Sequence, residues 1–376
     1  MMHFSLSQIK IIFVACLLVS AQVHVSAQST TPPSKTPSVP SKAAAVSSAS
    51  KTAQKSATAT DSQAKLTKKQ VFILPLDGTV GIGLRHDEME QVAKIADSFG
   101  PGQIIVLRIN SNGGLVTEGD KIAATLTRIK VNHKIVAWIE KAISGGAFTA
   151  LYCDHMYFMP EAALGSITMW SGDKVENKAA REDWKIRVAE ACAAGDRDPL
   201  IGPAMVHSEM ELSYDKIDGK VTFYPDVKHQ FVLSRKGENL DFIATTAEHS
   251  GFSAGTVASE IELFRKLKVD DPTRFEINPA GKEIAEKWQK LIKGAKDEVP
   301  ILLEKRNIEA SSQGGVAFLQ ARIRTTQKII DWFKKCPPAM TYDLNIDQRA
   351  VQGMKDEIVE MRKQIKEIQT AAQAGN

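Results

Sequence analysis

Two glycine-rich turns, roughly thirty residues apart and each closing a short apolar run, constrain this chain more than any other feature. The first run, Ile104-Ile105-Val106-Leu107-Arg108-Ile109, leads into Asn110-Ser111-Asn112-Gly113-Gly114. The second, Ile135-Val136-Ala137-Trp138-Ile139, leads towards Ser144-Gly145-Gly146. Short runs rich in β-branched residues read as buried strands. A Gly-Gly pair after a strand turns the backbone sharply and leaves unpaired N–H groups facing outward. With a serine before the second pair, one turn offers an anion nest and the other a hydroxyl. Those are the parts of an acyl-transfer site.

The same alternation extends on both sides. Val71 to Leu76, stopped by Asp77-Gly78, predicts a strand, and so does Met156 to Met159. Helical spacing appears at Met89, Val92, Ile95 and Ala96, at Val116, Ile122, Ala123, Leu126 and Ile129, and over 145–152. Strand alternating with helix predicts an α/β fold with a largely parallel sheet. Beyond it the pattern predicts a helix over 176–194 closed by Gly195. A hairpin from Val221–Tyr224 and Phe231–Leu233, a helix near 241–250 and a short strand at Thr256-Val257 follow. From about Glu260 the chain becomes helical and charged. Apolar residues three and four apart over 318–335 and 345–372 read as an amphipathic extension, either a coiled coil or helices packed on their own domain.

Residues 1–27 read as a secretory signal: Lys10, the apolar stretch Ile11–Val19, and the small-residue cleavage site Val25-Ser26-Ala27. An uncleaved anchor and lipidation of Cys16 are the alternatives. Residues 28–69 are Ser, Thr, Ala, Pro and Lys with few large apolar residues, a composition that predicts a disordered tether. The organisation is then signal 1–27, linker 28–69, an α/β domain over 70–270 and a helical tail over 271–376. The destination is exported, periplasmic or extracellular, with membrane association left open. The net charge of +4 misleads, because Lys10 and the lysine-rich linker carry it and leave the remainder at −3. No basic footprint for nucleic acid remains. Cleavage leaves Cys153, Cys192 and Cys336, which form neither a disulfide framework nor a metal pattern and read as packed thiols.

In order, Asn110-Ser111-Asn112-Gly113-Gly114-Leu115-Val116, Ile143-Ser144-Gly145-Gly146 and Leu164-Gly165-Ser166-Ile167 resemble the ClpP-class serine proteases of the ClpP/crotonase superfamily. The membrane-associated branch is the nearer, namely the NfeD-like proteases and signal peptide peptidase A. Gly195-Asp196-Arg197-Asp198 is similar to that family's helix-ending Gly-Arg stretch, and Thr246 to Gly251 is similar to its late helical segment. The resemblance spans roughly 70–270. It implies a fold of repeated β-β-α units, here with a C-terminal helical extension. It also implies Ser144 as nucleophile, and amides of Gly145 and of Gly113 or Gly114 as the oxyanion hole. Without the resemblance, Ser144 reads first as a helix N-cap with no catalytic duty.

A serine hydroxyl needs a base. Cytosolic relatives place a histidine where this chain has Met169, and His155 lies at a strand start, where it reads as structural. The membrane-associated relatives use a lysine on the helix that ends at the Gly-Arg stretch. Lys174, Lys178 and Lys185 are the candidates. Lys178 fits the register best, and Lys185, two turns along, comes second. Three departures stand out: Asn112 where the family has proline, Met169-Trp170 where it has small residues, and a charged helical tail where it has membrane segments.

The leading reading is an exported Ser-Lys endopeptidase acting on a polypeptide, which could be a segment of a membrane protein. It needs no cofactor, and by analogy it assembles as a homo-oligomer through residues 300–376. The alternative is a catalytically inactive scaffold or assembly protein of the same fold. Acyl-CoA chemistry, a third possibility, has little use for an exported location.

Overall fold

The computed structural model describes residues 68–171, 174–175, 178–311 and 315–374. The signal segment and all but the last two residues of the linker lie outside them. The described residues form one compact unit.

Its centre is a six-stranded sheet. Four parallel strands run β1 (Lys69–Asp77), β2 (Ile104–Ser111), β3 (Lys134–Ile143) and β4 (His155–Gly165), side by side in that order. Helices α1 (His86–Asp97), α2 (Val116–Lys130) and α3 (Gly145–Leu151) connect them. The parallel expectation holds, and its cause is visible in burial. Phe72, Leu74, Ile105, Leu107, Ile135 and Ala137 enter one core. Val71, Ile73, Val106, Val136 and Trp138 enter another on the opposite face. Strands covered on both faces read as continuous apolar runs.

After two two-residue strands, β5 (Trp170–Ser171) and β6 (Lys174–Val175), the predicted long helix appears as α4 (Lys178–Ala194), followed by α5 (Ile201–Val206). The expected hairpin is corrected. Strands β8 (Lys220–Tyr224) and β9 (Phe231–Ser234) do not pair with each other; both pair with β7 (Leu212–Ile217). The β7–β8 turn is Asp218-Gly219, both at positive φ, the signature of a two-residue hairpin. The region near 241–250 divides into β10 (Asp241–Ile243), antiparallel to β4, and α6 (Ala244–His249). Thr256 forms an isolated bridge to Phe158, and α7 (Glu260–Leu267) precedes β11 (Phe275–Asn278), which adds parallel to β1.

The extension comprises α8 (Ala280–Ser311), α9 (Val316–Lys335), a π-helical turn at Ala339–Asp343 and α10 (Gln348–Ala374). These helices share their own core, including Ile292, Val299, Ile329, Ile330, Val351 and Ile358. Arg306 and Arg322 both reach Glu357 across the bundle. The bundle also docks on the α/β domain, where Trp288 Nε1 donates to the Ile82 carbonyl at 2.7 Å and carries Arg85 on its ring face. Among the described residues no helix is long and apolar enough to cross a membrane. Cys153, Cys192 and Cys336 are buried and unpaired, and burial pushes the Cys153 and Cys192 thiols up to about 12.

Two contacts fix α3. Trp184 of α4 stacks on Phe148 at 5.1 Å and donates to the Ile167 carbonyl at 2.7 Å. At the other end, Arg197 Nη1 donates to the carbonyls of Leu151, Cys153 and Gly195 at 2.9–3.1 Å, closing the C-terminus of α3. Gly195 permits that approach, since a Cβ there would lie 2.0 Å from the Leu151 oxygen. Arg197→Met leaves these carbonyls unsatisfied and is expected to cost about 3 kcal/mol of stability, measured as a lowered urea midpoint at unchanged slope.

Candidate active site

The two glycine turns lie at the carboxyl ends of β2 and β3, where parallel α/β sheets form their crevices. A bulge shapes the approach. The β2–β3 register steps from Ile109↔Ile139 to Asn110↔Lys141, so Glu140 is the extra residue, and it pairs with Arg108 at 2.6 Å. Inserting one residue shifts the alternation of everything after it. At the same level the β3–β4 register breaks the other way, with Met159 to Ala162 of β4 opposite Glu140 alone, and Ile143 then pairs with Gly165. The Ser144 amide donates to the Gly165 carbonyl at 3.0 Å.

Ser144 precedes α3 with φ 53° and ψ −119°, a left-handed conformation unfavourable for any residue with a Cβ. It is half-buried, and its side chain makes no capping hydrogen bond. The hydroxyl therefore does not serve the usual purpose of a serine at this position. A strained non-glycine backbone is tolerated where the side chain is needed.

The first turn lies directly against it. At Gly113 (φ 97°) a Cβ would lie 2.5 Å from Ser144 Cβ and 2.9 Å from Ser144 Oγ. At Gly114 (φ 157°) it would lie 2.3 Å from the Val80 carbonyl. The loop after β1 thus forms a third layer: Val80 N donates to the Gly113 carbonyl at 2.9 Å, and Leu115 N donates to the Val80 carbonyl at 3.0 Å. That parallel bridge uses the groups flanking Gly114 and directs the Gly114 N–H to the other side. The Gly113 N–H instead donates to Ser111 Oγ at 3.1 Å. The Gly145 N–H is one of the unsatisfied first-turn amides of α3. Asn112 in place of proline is compatible with this turn.

The lysines are placed differently. Lys178 is the first residue of α4 and is exposed. Lys185 lies on the same helix, mostly buried, and pairs with Glu182 at 2.7 Å. Lys174 belongs to β6, with its side chain outside the described residues. His155 pairs with Val136 at the opposite end of the sheet, eight residues along β3 from Ser144. That is about 25 Å at strand rise, so His155 cannot act as the base. Burial, aided by the charge of Lys134, holds its ring below the usual histidine range.

Sequence reasoning missed a cavity of about 350 Å³ that opens at Ser166, one residue beyond Gly165, and is lined by Thr168, Arg181, His207 and Asn239 among others. Its residues come from four separate segments, so no local spacing announces it.

A family model described as NfeD1b, N-terminal domain, matches residues 70–276, more than half of the chain. The chain belongs to that family. It is 27% identical over 242 residues to the membrane protein NfeD1b of Bacillus subtilis (strain 168), covering 64% of this chain and 50% of that protein. It is 32% identical over 108 residues to the probable protease SohB of Buchnera aphidicola subsp. Schizaphis graminum (strain Sg), covering 27% of this chain and 30% of that protein. The chain therefore spans half or less of these relatives. Among solved structures it is similar to the 1510-N membrane protease specific for a stomatin homolog from Pyrococcus horikoshii. That similarity has TM-score 0.38 and 12% identity, over 56% of this chain and 92% of that one. It is also similar to ClpP1 from Listeria monocytogenes, with TM-score 0.33 and 18% identity, over 51% and 94%.

If the backbone at Ser144 is strained, glycine there relieves it while alanine does not. Ser144→Gly is expected to be about 1 kcal/mol more stable than Ser144→Ala, read from paired urea unfolding curves. Equal midpoints would mean that the turn stores no strain.

Proposed function

We propose that this chain is a serine endopeptidase that cleaves peptide bonds through an acyl-enzyme, with Ser144 as nucleophile and Lys178 as base. The observation that carries this reading is Ser144 itself: a hydroxyl held at a helix N-terminus in a strained conformation, uncapped, with two glycine turns packed around it. The lysine amine takes the Ser144 proton as Oγ attacks the scissile carbonyl and returns it to the leaving amine; water then releases the acyl group. The Gly114 and Gly145 amides stabilise the oxyanion, assisted by the positive end of α3. Gly113 supplies close packing and, by rotation of its Ser111 contact, a third amide. Bound peptide covers Lys178 and strips water from it, which favours the uncharged amine a base requires. Lys185 is the second candidate.

The apolar N-terminal segment supports export, and the name of the Bacillus relative supports a membrane-associated setting in which the substrate is a membrane protein segment. Ile301 on α8 and Val359 on α10, each 65% exposed, support self-association through the helical extension. One observation favours an inactive scaffold instead: Lys178 faces solvent and Lys185 is engaged by Glu182.

A fluorophosphonate probe separates the two. Labelling at Ser144, abolished in Ser144→Ala and reduced to background in Lys178→Ala with the circular dichroism unchanged, is the enzyme outcome. Absence of labelling in the intact chain is the scaffold outcome. For assembly, the double variant Ile301→Glu, Val359→Glu is expected to reduce the light-scattering mass to that of one chain. An unchanged mass places the interface elsewhere.

A further inference from the structure

The cavity that opens at Ser166 holds a charge without a paired counter-charge. Arg181, on the first turn of α4, lines it half-buried. Its Nε is buried with no acceptor, and among the described residues no carboxylate pairs with the guanidinium. The neighbouring acid on the helix, Glu182, is taken by Lys185. Secluded guanidinium groups are normally paired, and their planar fork matches a carboxylate.

The rest of the lining supplies donors. The Glu209 N–H donates to His207 Nδ1 at 3.1 Å, which places the neutral ring's proton on Nε2. Asn239 Nδ2 donates to Thr168 Oγ1, and Thr168 donates onward to the Val206 carbonyl at 3.1 Å, so the Asn239 amide is held in one orientation. The one acid in the lining, Asp241, is exposed at the rim and accepts from Ser166 Oγ at 2.8 Å. The cavity therefore offers the Arg181 guanidinium and the His207 Nε2–H as uncommitted donors, with its acid at the edge.

We infer that this cavity is a subsite for a carboxylate of the bound peptide, recognised by Arg181. The inference rests on the peptidase reading for what brings the peptide there. The cavity opens one residue beyond Gly165, whose carbonyl holds the Ser144 amide, and this puts its mouth within reach of a peptide bound at Ser144. An acidic side chain and a free C-terminus carry the same chemistry. Arg181 is a specificity residue: it selects substrate and takes no part in bond cleavage.

The test is fluorescence anisotropy on the full chain carrying Ser144→Ala, so that nothing is turned over. Three fluorescein-labelled short peptides of Ala, Val and Leu are compared: one central Glu with an amidated terminus, the same with Gln, and the Gln peptide with a free C-terminal carboxylate. At least one acidic peptide is expected to bind about tenfold more tightly than the Gln amide. Which one it is identifies the source of the carboxylate. Arg181→Gln erases the preference, and Asp241→Asn, which removes the rim charge while keeping an acceptor for Ser166, strengthens it. Equal binding of all three peptides, or a preference that survives Arg181→Gln, overturns the subsite. Hydrolysis by the unsubstituted chain is read separately. No cleavage alongside an intact preference removes the nucleophile reading and leaves the subsite standing; cleavage with no preference removes the subsite alone.

Discussion

Everything at this site depends on how closely the backbone at Gly113 approaches Ser144. No side chain can stand between them, because a Cβ on Gly113 would fall inside the serine. The approach is possible only because both residues adopt positive φ, at no penalty for glycine and at real cost for serine. Three loops, after β1, β2 and β3, stack through Val80, Gly113–Gly114 and Ser144–Gly145. Each removes the space its neighbour would need to relax. Over-determination of this kind is what lets a strained residue persist.

The stack is held from outside by residues that never touch it. Arg197 ties the far end of α3, through the Leu151 and Cys153 carbonyls, to Gly195 at the end of α4, and Trp184 clamps its flank through Phe148. The helix carrying Trp184 also carries Lys178, Arg181 and Lys185. One aromatic contact therefore sets the position of the candidate base and of the cavity arginine relative to the nucleophile. The proposed base and the proposed specificity group, on one rigid helix, share a single reference point.

Much of this was legible in the residues, and the failures have physical causes. β1 to β4 announced themselves as β-branched runs because both faces are buried, which erases alternation and leaves a plain apolar stretch. β7 is hard to read because Leu212-Ser213-Tyr214-Asp215-Lys216-Ile217 mixes polar and apolar residues on a small three-stranded sheet, and only Asp218-Gly219 marks its turn. β11 is hidden inside a charged stretch, where Phe275 and Ile277 are the only large apolar residues of the strand. The bulge at Glu140 has no local signature, since its glutamate would suit an exposed strand position as well. Ser144 and the glycines could be found because turn chemistry is local. The base and the cavity could not be settled the same way, because both depend on where α4 lies against elements distant in sequence.

The helical extension bears on the site as well as on the proposed assembly. Trp288 donates to Ile82 and Gln289 Nε2 donates to the Asp77 carbonyl at 3.0 Å, so α8 holds the loop that follows β1 at its start and its middle. Within that loop the Thr79 carbonyl accepts from the amides of Ile82, Gly83 and Leu84, and the adjacent Val80 forms the bridge to Gly114. A rigid path of hydrogen bonds thus runs from α8 through a tight turn to the amide proposed for the oxyanion. Gly281 adds to it, since a Cβ there would lie 2.3 Å from the Ile73 carbonyl of β1. Deleting the extension would therefore unseat the oxyanion turn along with any subunit contact. Point changes on the solvent face of α8 and α10 separate these two roles, because they leave Trp288, Gln289 and the loop beneath them in place.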